Sequence, residues 1–342
     1  MLITPMRSSK TRIVLFFAGA IAASAVAVAA TGHTVRKVKQ AGHHTATRHK
    51  TTRPMGARKR RETPPHFTFM GHRNTTRGKI VNYHNGLADI KAYWVRPKGH
   101  GPWPGILVVQ DIFGLTPWLK QQAHIIASHG YVVLAPNLYS RDHVPNGCAT
   151  PGQAVRCYRR LSDNDAVNDL LAGITYIRHS PSVEGRRLGV VGYDMGGIYS
   201  IMLASSSLRV KAAVNFYGQL MYGHTSDRRP VSPVEAVSNL HAPLLSFYGG
   251  RDPQNPPPVL KLFRHHLAFN SNNAYHRVVI YKDVGHGFLV PGQQGYNAAA
   301  ARNAMEQTFA FLKRVLKAPR HRHGRRHRRR HHHHHHHHHH SS

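Results

Sequence analysis

Apolar positions change period several times between residues 79 and 317. Lys79–Tyr83 and Ala88–Val95 alternate as the strands of a hairpin do, with Asn85-Gly86 as the expected turn. Gly105-Ile106-Leu107-Val108-Val109 is a continuous apolar run, the mark of a strand covered on both faces. A helical stretch follows from Trp118 to His129, and Tyr131–Ala135 reads as the next buried strand. Between Asp163 and Arg178, apolar residues fall at 166, 170, 171, 174 and 177, which predicts an amphipathic helix capped by Ser162 or Asp163. Leu188–Val191 is a further strand, with a helix from Gly196 to about Ser206. The runs Val210–Phe216, Leu244–Tyr248 and Arg277–Tyr281 continue the pattern, and a helix from Asn297 to Lys317 closes it. Strands that alternate with helices predict an α/β architecture, a mostly parallel central sheet with helices on both faces.

The ends of the chain do not belong to this pattern. Arg7, Lys10 and Arg12 precede an apolar run from Ile13 to Ala30 that closes on small residues. Residues 1–30 therefore read as an export signal, leading to a periplasmic or secreted protein. The run is also long enough to serve as an uncleaved membrane anchor. Residues 31–64, rich in Lys, Arg, His and Thr, read as a basic disordered linker. Residues 318–342 form an Arg/His-rich tail that ends in ten histidines and two serines. That tail is either an affinity tag or a native segment able to hold divalent metal through imidazoles. Residues 65–317 remain, a length suited to one domain.

Of the formal charge of +33, more than half sits in the two ends. Such a balance admits weak binding to a polyanion or an anionic surface, although no motif interleaves aromatics with the charge as nucleic-acid binders do. Cys148 and Cys157 are the only cysteines. In an exported protein they pair most simply as a disulfide stapling a surface loop, and neither sits on a nucleophile turn.

The candidate chemistry lies where parallel sheets put it, at the carboxyl ends of strands. Gly192-Tyr193-Asp194-Met195-Gly196-Gly197 follows strand 188–191 as a glycine-rimmed turn into a helix, the setting that presents a nucleophile. Asp252 follows strand 244–248 in Gly249-Gly250-Arg251-Asp252-Pro253, and His286 follows strand 277–281 in Val284-Gly285-His286-Gly287-Phe288. Nucleophile, acid and histidine appear in the chain order of the α/β-hydrolases.

With these marks, together with Gln110-Asp111-Ile112-Phe113-Gly114 and Ala135-Pro136-Asn137-Leu138-Tyr139, the chain resembles the dienelactone hydrolase family over about residues 75–317. The resemblance implies an α/β-hydrolase fold and hydrolysis of a small-molecule ester or lactone without metal or cofactor. It further implies that Asp252 orients His286, that the backbone N–H groups of Ile112 and Met195 form the oxyanion hole, and that Asp111 and Arg141 contact substrate. The chain departs from the family at the elbow, where Asp194 replaces the usual Cys or Ser, and at Asp111, where Glu is usual. Leu289-Val290-Pro291 supplies no second arginine to accompany Arg141.

An aspartate nucleophile favours particular reactions. Attack on an ester carbonyl gives a mixed anhydride, whereas attack on a saturated carbon gives an ordinary alkyl ester that His286 and water can cleave. A dehalogenase or epoxide hydrolase is therefore the alternative, and an inactive fold that binds a polyanion or metal is another. If the fold holds, Asp111 lies close to Asp194, and one of two neighbouring carboxylates should take up a proton near neutral pH.

Overall fold

The computed structural model describes residues 75–144, 148–270, 272 and 275–317. The expected export segment (1–30), linker (31–64) and Arg/His tail (318–342) lie outside the described residues. Among the described residues, no helix is long and apolar enough to cross a membrane.

The strands are β1 (Thr76–Asn85), β2 (Ala88–Pro97), β3 (Trp103–Val109), β4 (Val132–Pro136), β5 (Val183–Tyr193), β6 (Val210–Phe216), β7 (Leu244–Gly249) and β8 (His276–Tyr281). They form one sheet in the order β1-β2-β4-β3-β5-β6-β7-β8. β2 runs antiparallel to both β1 and β4, and every other neighbouring pair is parallel. The parallel centre is the part whose sequence is continuously apolar: Ile106 to Val109 and Val132 to Ala135 are fully buried.

The helices are α1 (Pro117–Ser128), α2 (Pro151–Arg160), α3 (Asp163–Arg178), α4 (Met195–Ser206), α5 (Pro233–Ala236), α6 (Pro257–Ala268) and α7 (Ala298–Leu316). They divide between the two faces. Leu119 and Ile126 of α1 pack in one core with Phe311 and Leu312 of α7. Leu170, Ile174 and Ile177 of α3 pack in the other, with Ile198 and Ile201 of α4 and Phe263 of α6. Each fully buried aliphatic side chain of this kind contributes about 1.5–3 kcal/mol relative to exposure. α3 starts where Ser162 accepts the Asp165 N–H at 3.1 Å. α4 is apolar all round because it is buried all round, from Met195 to Ala204. A helix so enclosed gives the turn before it a fixed footing.

Three expectations need correction. The hairpin turn is Gly86-Leu87 and not Asn85-Gly86, since Asn85 pairs with Ala88 inside the ladder. Gly86 takes φ 61° at the first turn position, where glycine has no steric penalty. β5 begins five residues before the expected strand, at Val183. The stretch between the cysteines is no loop: Cys157 lies in α2, which starts in a capping box between Thr150 and Gln153.

The elbow after β5 tolerates no side chain on its glycines. A Cβ on Gly192 would overlap the Gly196 carbonyl, and one on Gly196 would overlap the carbonyls of Val109 and Gln110. Gly192→Ala should therefore destabilise the fold by about 3 kcal/mol or more, because backbone rather than a movable side chain must yield. Urea denaturation checks this; a midpoint equal to that of the parent chain would contradict it.

Candidate active site

Asp194 sits between β5 and α4 with φ 52° and ψ −115°. For a residue with a Cβ this conformation costs of the order of 1–3 kcal/mol and has to be imposed by its surroundings. The Asp194 N–H donates to the Phe216 carbonyl at 3.0 Å, and its own carbonyl accepts from the N–H groups of Gly197 and Ile198 at 2.8 and 3.3 Å. Backbone from β6 and the first turn of α4 thus holds the residue.

Asp252 follows β7 and its side chain is sealed from solvent. It accepts from the Gln254 N–H at 2.9 Å and the Asn255 side-chain amide at 3.2 Å. His286 follows β8. Its Nδ1 lies 3.0 Å from Asp252 Oδ2 and its Nε2 3.0 Å from Asp194 Oδ1. The loops after β5, β7 and β8 therefore converge, two carboxylates on one imidazole.

Electrostatics follow from the contacts. Burial alone would lower the pKa of His286, but its hydrogen bonds to Asp194 and Asp252, and then their charges, outweigh it and raise the value to about 10. At neutral pH the ring is an imidazolium that donates through both nitrogens. The Tyr217 ring closes one side of it in a T-shaped contact, with centroids 5.0 Å apart. Tyr217 itself is buried, with φ 45° immediately after β6.

Asp111, just past β3, lines the same cavity as Asp194. Its Oδ1 accepts the Phe113 N–H at 2.8 Å. Burial raises its pKa to about 6; the Phe113 N–H opposes this, the Asp194 charge adds to it, and the Gly114 N–H opposes it. Ile112 and Met195 also line the cavity. Met195 opens α4, so its N–H has no acceptor within the helix. The Tyr139 hydroxyl ties the two segments together, donating to the Ile112 carbonyl at 2.9 Å and lying 3.5 Å from the Met195 sulfur.

Arg141 does not reach this site. Its Nε and a terminal guanidinium nitrogen grip Asp169 of α3 at 2.9 and 2.6 Å. The Asp169 carboxylate is wholly buried and needs a cation there, so the expected substrate contact is a structural ion pair.

Cys148 and Cys157 form a disulfide. Because the Cys148 N–H also donates to the Phe113 carbonyl at 2.8 Å, the bridge ties α2 to the segment after Asp111. Tyr158, next in α2, consequently lines the cavity.

The cavity measures about 360 Å³. Besides the residues above, Gln219, Gln254 and Gln293 line it. Sequence reasoning missed these glutamines, Tyr158 and Tyr217. Tyr217, Gln219 and Gln254 carried a signal, their place just beyond the ends of β6 and β7. A larger groove of about 870 Å³ between the β1–β2 hairpin and α3 carries Arg77, Lys79 and Arg96, but Asp194, Asp252 and His286 do not line it. Among the described residues, no cluster of His, Cys, Asp and Glu could hold a metal ion.

Residues 90–316 match the dienelactone hydrolase family. The chain belongs to that family. It is 32% identical over 221 residues to a Salmonella typhimurium protein named "Putative carboxymethylenebutenolidase", covering 64% of this chain and 80% of that one. A Bradyrhizobium protein named "Probable 2-oxo-3-(5-oxofuran-2-ylidene)propanoate lactonase" is 28% identical over 229 residues, covering 67% and 90%. A crystal structure titled as a putative dienelactone hydrolase from Klebsiella pneumoniae superposes with a TM-score of 0.66 at 27% identity, covering 71% of this chain and all of that one. Family membership makes the protein a hydrolase of the α/β-hydrolase fold.

Two predictions separate the cavity from its supports. The Asp111 pKa is higher folded than its ordinary 3.8, so the folded state is penalised progressively as pH rises from about 4 to about 6 and fully above that. Asp111→Asn, which keeps an oxygen for Phe113, should be more stable than the parent by up to about 3 kcal/mol near pH 8, with the difference vanishing near pH 4. Thermal unfolding across that range checks it. Arg141→Ala strands the buried Asp169 and should cost about 3–5 kcal/mol while leaving the activity of the folded fraction unchanged. Denaturation paired with active-site titration reads both quantities.

Proposed function

We propose that this hydrolase cleaves a small ester or lactone with Asp194 as the attacking group, His286 as the proton carrier and Asp252 as the group that orients it. The observation that carries the reading is the two-sided clamp on His286, 3.0 Å from each carboxylate. The two carboxylates raise the His286 pKa to about 10, which makes the ring a proton donor to the leaving group.

The cycle then runs in a definite order. The carboxylate of Asp194 attacks the substrate carbonyl, and the developing oxyanion meets the N–H groups of Ile112 and Met195. The carbon–oxygen bond to the leaving group breaks, and His286 gives its proton to that oxygen. Asp194 is now acylated and uncharged, so the imidazole loses one of the two anions that raised its pKa. Neutral His286 takes a proton from water, and the resulting hydroxide cleaves the mixed anhydride and restores the Asp194 carboxylate. The sum is one ester and one water consumed, and one acid and one alcohol formed.

A second reading uses the same residues on a saturated carbon. An epoxide opened by Asp194 leaves an ordinary alkyl ester, a less energetic intermediate than an anhydride. The observation that favours it is Asp111, a carboxyl with a pKa near 6 beside Asp194, which can donate a proton to an opening oxygen.

We also propose that the enzyme is exported. The basic start and apolar run before residue 31, together with the Cys148–Cys157 bridge, support this.

Turnover of 4-nitrophenyl acetate should fall by at least about a thousandfold in Asp194→Ala. In His286→Ala, which lacks the base for the second step, mass spectrometry should find an adduct on Asp194: acetyl from the ester, or hydroxyalkyl from an epoxide. Undiminished turnover in Asp194→Ala would refute both readings. The activity of the parent enzyme should decline as pH rises through about 10, where His286 loses the proton that it donates.

A further inference from the structure

We propose that the Asp194 cavity takes uncharged esters or lactones and discriminates against substrates that carry a free carboxylate. This rests on the proposed chemistry at Asp194 and deepens it by naming the substrate class. It sets the chain apart from the Bradyrhizobium relative, whose name specifies a propanoate.

The cavity wall contains two carboxylates, Asp111 and Asp194, and a third, Asp252, lies directly behind His286. His286 is the one cationic group among the described lining residues, since no lysine or arginine joins it there. Its charge is already divided between two carboxylates at 3.0 Å. A substrate carboxylate entering this space would leave water, lie near Asp194 and Asp111, and find no unshared cation to replace its hydration.

Two arginines approach the neighbourhood, and the fold employs both elsewhere. Arg141 is forked onto Asp169. Arg229 lies over the Tyr158 ring, 4.1 Å from its centroid, and does not itself line the cavity. It donates to the Tyr158 carbonyl at 2.5 Å, and the buried Asp163 carboxylate shares its charge. Its Nε is buried without a hydrogen-bond partner among the described residues, so the charge is engaged through the terminal nitrogen and Asp163.

The remaining polar groups that line the cavity are neutral. Gln219, Gln254 and Gln293 provide amides, and Tyr158 a hydroxyl. Gln219 spends its N–H on the Met221 carbonyl at 2.9 Å, which fixes the orientation of its amide. Such groups hydrogen-bond to hydroxyl, ester or amide oxygens without supplying charge. The cavity therefore selects by what it lacks as much as by what it offers.

The test compares mono-4-nitrophenyl glutarate with its methyl ester, which share a leaving group and nearly a shape. The methyl ester should have a kcat/KM at least about tenfold higher at low salt, with the gap narrowing near 0.5 M salt. Gln293→Arg, a change at an exposed lining position, should shrink or invert the ratio. Equal or faster turnover of the carboxylate by the parent enzyme would overturn the proposal. Calorimetric binding of the corresponding unreactive amides, with and without the free carboxylate, reads the preference separately from catalysis. Tighter binding of the neutral amide upholds the inference even if Asp194 forms no adduct, and tighter binding of the anion refutes it even if the ester cycle is right.

Discussion

His286 reaches Asp194 through one ring nitrogen and Asp252 through the other, both at 3.0 Å, so the imidazole cannot turn without giving up a charged partner. Much of the fold serves to make that clamp possible. The three residues come from chain positions up to 92 apart, and only the parallel arrangement of β5, β6, β7 and β8 brings their carboxyl ends to one edge of the sheet. Asp252 is fixed further by two donors from its own loop. Tyr217, bent into a positive φ, fills the space beside the ring. Since the clamp lies between rigid strand ends, the imidazolium is positioned before any ligand arrives, and little reorganisation accompanies proton transfer.

The strain at Asp194 has the same origin. A positive φ at a non-glycine residue persists only where neighbours dictate it. Here the Phe216 carbonyl draws in the N–H of Asp194 while α4, buried along most of its length, fixes the other side. Gly192 and Gly196 allow backbone to come closer than any side chain would permit. The turn is therefore a product of packing between β3, β5, β6 and α4, and its conformational cost is offset by the core behind it.

The main features of the site could be read from the chain because they obey a rule about position. Asp194, Asp252 and His286 each stand just beyond an apolar run, and parallel sheets concentrate chemistry there. Arg141 misled because its partner could not be seen: Asp169 occupies the apolar-periodic segment of α3, and nothing in the spacing shows a fully buried carboxylate. α2 escaped notice because only Ala154 is buried in it, so hydrophobic periodicity was nearly absent; Thr150 and Gln153, three apart ahead of a proline-led segment, were the readable sign. α6 was hidden by Pro256-Pro257-Pro258, although prolines suit a first helical turn and Leu260, Phe263 and Leu267 recur at helical spacing. Gln293 and Tyr158 belong to a loop and a helix whose approach to the cavity depends on tertiary packing, and no local pattern encodes it.

An aspartate at the elbow changes the order in which the histidine works. A serine or cysteine there would begin protonated, and the imidazole would begin as a base that removes that proton. In the proposed cycle the Asp194 carboxylate attacks beside an imidazole whose pKa the two carboxylates raise, so the first act of His286 is donation. Only when Asp194 is consumed does the ring become a base, and that is the moment when water has to be activated. The same clamp sets two carboxylates, Asp194 and Asp252, against one imidazolium, with Asp111 adding another negative group once pH exceeds about 6. One residue choice thus couples the proton sequence to the charge of the substrate. A site that starts with its cation already shared has no cation left over to hold a substrate by its charge.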